Sequence, residues 1–289
     1  MLLTLVFMYG CKYDPSSKKT TEKDVIDPEF FELTKELKDV YYRFPSPEEM
    51  FMFIDSIGLN FNPSILLPVS QMDNYLTSTD QALNMGIYIS DLAYITLFQR
   101  YKESLDYLQT IYLLSEKLRI SPAFEKSLID RIDNNITTSD SLKSISEEAF
   151  SSIVDYLSNN DKEDLFAVIS IGGFIEFMHI SLSLTNNFSP DNMTVQKILD
   201  QKIVYDNIIK YSKDYEKNEN VRKVLNLITP LTEFYGRLKS EKEKTNVTKS
   251  SDGSLVFEGK KRYLLTSEEY NELKSIVNDL RTKIVQADI

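Results

Sequence analysis

Two stretches of the chain, LNMGIYISDLAYITLF (83–98) and LFAVISIGGFIEFMHISLSL (165–184), are apolar on nearly every side of a helix. A helix with so little polar surface cannot lie on the outside of a water-exposed domain, so other elements must enclose it. This makes the two stretches the central pair of a helical core and the rest of the chain its covering. Gly86 sits inside the first and Gly172-Gly173 inside the second. Each glycine costs about 1 kcal/mol of helix propensity, a cost consistent with helix backbones that approach closely at those points.

The polar residues within this pair are the first candidates for a site. At 100° per residue, Tyr88, Asp91, Tyr94, Ile95 and Phe98 share one face of the first helix. Gly172, Gly173, Glu176, His179 and Ser183 share one face of the second. Contact through the glycines then brings Asp91 toward Glu176 or His179. A buried carboxylate without a partner costs several kcal/mol or takes up a proton, so these groups are expected to bond one another or the hydroxyls of Tyr88 and Tyr94. The cluster Tyr88, Asp91, Tyr94, Glu176 and His179 reads in two ways: a polar lock fixing the register of two core helices, or a small-ligand pocket.

The remaining pattern is helical as well. The 3.6-residue periodicity predicts helices over 28–42, 47–57, 70–77, 80–100, 102–118, 122–134, 140–158, 162–185, 191–216, 220–239 and 267–286. Asp27-Pro28, Ser46-Pro47, Ser121-Pro122 and Ser189-Pro190 each place a capping side chain before a proline suited to the first helical turn. Ser46 with Glu49, and Thr266 with Glu269, form the spacing of a capping box. Pro230 should kink or split the helix of 220–239. SLVFEGKKRYLL (254–265) reads as a small hairpin about Glu258-Gly259, preceded by a charged linker over 240–253. The fold class is all-α: an irregular multi-helix bundle of antiparallel helix pairs with a small C-terminal β-hairpin. A tetratricopeptide-like array is the alternative for 82–111, but no second copy appears at a period of about 34 residues.

The composition narrows the chemistry. A net charge of −11 argues against nucleic-acid binding, which requires local excesses of Lys and Arg to neutralise phosphates. The basic runs Lys18-Lys19 and Lys260-Lys261-Arg262 are short and read as solvated surface. Glu176-x-x-His179 has the spacing used in carboxylate-bridged di-iron bundles, but such sites need a second copy, and the chain has one histidine. No HExxH, GxSxG, GxGxxG, P-loop or EF-hand pattern is present. No catalytic residue, metal or cofactor is therefore assigned. The aromatic segment YYRFPSPEEMFMFI (41–54) is either core under two short helices or a contact surface.

The one cysteine has a different setting. MLLTLVFMYGC (1–11) carries no charge, and its apolar run, Leu2 to Tyr9, falls far short of the roughly 20 residues that span a bilayer as a helix. It suits the apolar region of a signal peptide. FMYGC resembles the lipobox of bacterial lipoproteins, in which a small residue, here Gly10, precedes a cysteine, here Cys11, that is lipidated and becomes the mature N-terminus. Met8 and Tyr9 stand where a leucine and a small residue are usual, and no Lys or Arg precedes the run. The following KYDPSSKKTTEKD (12–24) has no apolar period and reads as a tether. Over about residues 40–185 the chain is also similar to uncharacterised helical lipoproteins of Bacteroidota, a resemblance that implies no activity.

The expected organisation is a signal peptide at 1–10, a lipidated Cys11 and tether over 11–26, a helical domain over 27–239, and a linker, hairpin and helix over 240–289. The expected role is a lipid-anchored, non-enzymatic cell-envelope protein of the outer membrane. It would be held to the membrane by its N-terminal lipid and would bind a protein partner there. The alternatives are a small-ligand or metal protein using Asp91, Glu176 and His179, and a tetratricopeptide-like interaction scaffold.

Overall fold

The computed structural model describes residues 45–55, 60–124, 139–185, 188–242, 246–249, 255–258 and 261–289. The proposed signal peptide, Cys11, the tether and the expected helix over 28–42 lie outside these residues. Among the described residues the helices are α1 (Pro47–Asp55), α2 (Ser78–Leu97), α3 (Tyr101–Lys117), α4 (Ser139–Asn159), α5 (Glu163–Leu184), α6 (Met193–Asp200), α7 (Lys202–Asp214), α8 (Glu219–Leu227), α9 (Thr229–Arg237) and α10 (Ser267–Val285). The class is the one the periodicity implies: an all-α multi-helix bundle with a small antiparallel ribbon near its C-terminus.

The two all-apolar stretches become α2 and α5, and their mutual contact is the most extensive in the molecule. Helices α1, α3 and α4 cover α2, while α7, α8 and α10 cover α5. α5 has the length and hydropathy of a membrane span, yet 78% of its apolar window is buried inside the protein. Its apolar surface is therefore used up by packing. The seam runs through the glycines: a methyl group at Gly86 would meet the carbonyl oxygen of Ile169 and lie 2.6 Å from the amide of Gly173, and one at Gly172 would meet the carbonyl of Leu83. Ser90 Oγ donates to the Gly173 carbonyl at 2.8 Å, pinning the register.

Helix boundaries follow local chemistry. The Ser46–Glu49 and Thr266–Glu269 capping boxes form in both directions, and a third joins Thr77 and Asp80 at the start of α2. Pro230 sits in the first turn of α9, and the expected split falls at Ile228, between α8 and α9. Four expectations need correction. Ser189-Pro190 does not open a helix; Asn192 caps α6 by accepting from the Thr194 amide at 2.8 Å, and the expected single helix over 191–216 breaks at Gln201 into α6 and α7. Ser121-Pro122 forms only a 3-10 turn, Ser121–Ala123, and 125–138 lie outside the described residues. The expected helix over 70–77 is a 3-10 turn, Val69–Asn74.

The hairpin is longer than the sequence suggested. β1 (Lys239–Lys242) pairs with β4 (Lys261–Leu264), and β2 (Asn246–Lys249) pairs with β3 (Leu255–Glu258), all antiparallel. β3 and β4 therefore pair with β2 and β1 and not with each other about Glu258-Gly259, and residues 240–242 and 246–249 of the expected linker are strand. Tyr263 buries its ring against the body while Gln196 bonds both its amide and its carbonyl, each at 2.9 Å. α10 follows and docks by a stripe of Tyr270, Leu273, Val277, Leu280 and Ile284, all buried. Phe51 of α1 is fully buried against Phe177, with ring centroids 4.9 Å apart, so this part of the aromatic segment is core.

Candidate functional site

Between α1 and α2 the chain crosses the bundle as a strap, residues 60–77, built from two 3-10 turns, Pro63–Ile65 and Val69–Asn74. Such a segment has few internal backbone hydrogen bonds, and buried N–H and C=O groups must find partners elsewhere. Those partners come largely from the candidate residues. Tyr94 accepts from the Asn62 amide at 3.0 Å, Asp91 Oδ2 accepts from the Leu67 amide at 3.1 Å, and the Tyr88 hydroxyl donates to the Pro68 carbonyl at 3.1 Å. Tyr107 of α3 donates to the Leu67 carbonyl at 2.9 Å, and Gln81 to the Tyr75 carbonyl at 3.1 Å. Three residues on one face of α2, spaced by three, thus serve one strap.

The partner of Glu176 is Arg281 of α10. Its guanidinium donates from Nε to Oε2 at 2.5 Å and from Nη2 to Oε1 at 2.9 Å, and Nη2 also reaches the Ile65 carbonyl at 3.2 Å. Glu176 is fully buried and Arg281 partly so. This fork satisfies both carboxylate oxygens in the geometry that Arg, but not Lys, provides. Of the two kinds of partner expected for the carboxyls, one another or the hydroxyls of Tyr88 and Tyr94, the hydroxyls are not the ones used: they go to strap backbone. Arg281 stands 105 residues from Glu176 in sequence. No spacing rule links them, although a lone arginine within one turn of the buried α10 stripe is a signal for a buried ion pair.

Asp91 comes beside Glu176, as the glycine contact requires. Burial first, and the Glu176 charge second, push its carboxyl well above the ordinary range, against the smaller pull of Arg281 and the Leu67 amide. These surroundings favour the protonated form of Asp91. Burial likewise raises Tyr75 to about 12 and raises Tyr88 and Tyr107 further, so all three hydroxyls stay protonated. His179 is half-buried at the edge, with Nδ1 3.0 Å from Asn278 Oδ1. Burial lowers its pKa more than Glu176 raises it, so the ring is neutral.

The structure therefore brings Tyr88, Asp91, Glu176 and His179 to one place and sets Tyr94 further along the strap, in an aromatic stack with Phe61 and Phe98 at 5.4 and 5.0 Å. Asp91 and Glu176 are fully buried, and apart from Asp91 Oδ1 their carboxyl oxygens are taken by the Leu67 amide and the Arg281 fork. Among the described residues, no group of three or more His, Cys, Asp or Glu could hold a metal ion. A cavity of about 50 Å³ lies elsewhere on the α2–α5 seam, lined by Pro45, Met50, Ile89, Phe150, Ile169 and Phe174 among others. It is well below the few hundred Å³ of ordinary small-molecule sites, and none of the five candidate residues lines it. No known protein family, curated protein or solved structure matches this chain.

Proposed function

We propose that the chain is a lipid-anchored, non-catalytic protein of a bacterial cell envelope that binds or supports a partner assembly at the membrane. The observation that carries this reading is the sequence MLLTLVFMYGC, which places the only cysteine directly after a small residue and a short apolar run. A thiolate is the nucleophile that a lipid-transferring enzyme alkylates, and an acylated N-terminus followed by the polar stretch 12–24 would tether a folded domain to the bilayer. A non-catalytic role draws support from the polar cluster. Asp91, Glu176 and Arg281 are enclosed and committed to the strap, whereas catalytic acids and bases must reach a substrate. The pairing of α2 with α5, distant in sequence, favours a closed core over a repeat array that stacks neighbours.

Cys11→Ser tests the anchor. The wild-type protein should sediment with membranes in high salt and incorporate a labelled fatty acid, while the variant should be released with its helical circular dichroism unchanged. A variant that stays on membranes in high salt, or a wild type that takes up no label, rules out the anchor.

A further inference from the structure

Asp91 and Glu176 are both fully buried and interact with one another, and one cation, Arg281, forks onto Glu176. Charged and titratable groups approach from every packed element: Tyr88 from α2, Tyr107 from α3, His179 from α5, Arg281 from α10 and Tyr75 from the strap. Arg281 alone is positive among these, and its fork is taken up by Glu176 and the Ile65 carbonyl. Asp91 Oδ2 holds the Leu67 amide, whereas Oδ1 has no donor directed at it. Two carboxylates and one guanidinium leave one negative charge without compensation, which a buried site cannot carry cheaply.

We propose that Asp91 and Glu176 share one proton, and that this proton latches the strap to the bundle. With the proton present, Asp91 donates through Oδ1 to Glu176 and accepts from Leu67 through Oδ2. When the proton leaves to solvent, two carboxylates confront each other beneath Leu67, and the strap lifts to let water reach them. Folding is thus linked to uptake of one proton. The sign follows from the raised folded-state affinity: the contribution of the pair is complete at acid pH and is lost as pH climbs above the ordinary carboxyl range toward the folded value.

The experiment compares the wild type with Asp91→Asn, whose amide reproduces the protonated acid with a donor toward Glu176 and an acceptor toward Leu67. Urea unfolding of both proteins is measured across pH, with exchange of the Leu67 amide followed in parallel. The ratio of the wild-type unfolding constant to that of the variant should rise with pH above the ordinary carboxyl range, by up to about tenfold per pH unit. Protection of the Leu67 amide should fall with pH in the wild type only. A pH-independent ratio overturns the proposal. If Asp91→Asn does not fold, the wild type alone decides: an infrared carbonyl band of a buried protonated carboxylic acid at neutral pH supports the shared proton, and its absence refutes it.

Discussion

Gly172 and Gly236 show how one residue type plays opposite parts in the same fold. A methyl at Gly172 would press into the Leu83 carbonyl and approach its Cα within 2.9 Å, while one at Gly236 would meet nothing within 4 Å. Backbone cannot yield as a flexible side chain does, so Gly172→Ala forces α2 and α5 apart along their whole seam. The expected loss is about 2–3 kcal/mol, at the upper end for overpacking. Gly236 lies in a helix without any such demand, and Gly236→Ala should raise stability by about 0.5–1 kcal/mol through propensity alone. Urea denaturation of the two variants checks both signs; equal effects would mean that the seam is looser than described. At the same scale, Arg281 contributes less as a charge than as a partner, because removing it would strand Glu176 in the core.

Helix ends in this protein depend on a device that the sequence hides. α2, α3, α4 and α10 are followed by Gln99, Arg119, Asp161 and Ala287, each with φ between 54° and 58°. In each case the next amide reaches back five residues along the chain, as Ile120 does to the Ser115 carbonyl at 2.8 Å and Lys162 to Leu157 at 3.0 Å. This is the closing motif that glycine usually occupies, met here in a chain with only eight glycines. Since the left-handed conformation is unfavourable for side chains with a Cβ, Arg119→Gly should raise stability by about 0.5–1 kcal/mol, read as a shift in the urea midpoint without a change in slope. The same device explains which elements were legible. Start signals carry side-chain chemistry, so Ser46, Thr266 and Pro230 marked their boundaries correctly. Ser189-Pro190 misled because Asn192 caps better a few residues on. Strands β3 and β4 fall where the sequence placed a hairpin, but β1 and β2 escaped because strands of four residues rich in Lys, Ser, Glu and Thr resemble a linker until a partner strand is known.

Across the whole molecule, the apolar character of 83–98 and 165–184 and the positions of three glycines were enough to indicate the core pair and to bring Asp91 to Glu176. What could not be read was the strap, because its backbone partners lie on α2, α3 and α10, up to 216 residues away. The unifying claim is that polar side chains of three helices exist here to satisfy and immobilise one irregular segment. That segment runs partly over the surface, so an ordinary loop in its place would exchange amide hydrogens freely. The direct measurement is hydrogen exchange of the Leu67 amide at neutral pH. Its partner among the described residues is Asp91, so the expected result is slow exchange comparable to that of the α2 core amides. Exchange at the rate of an open loop would contradict the role assigned to Asp91, Tyr88, Tyr107 and Arg281 together.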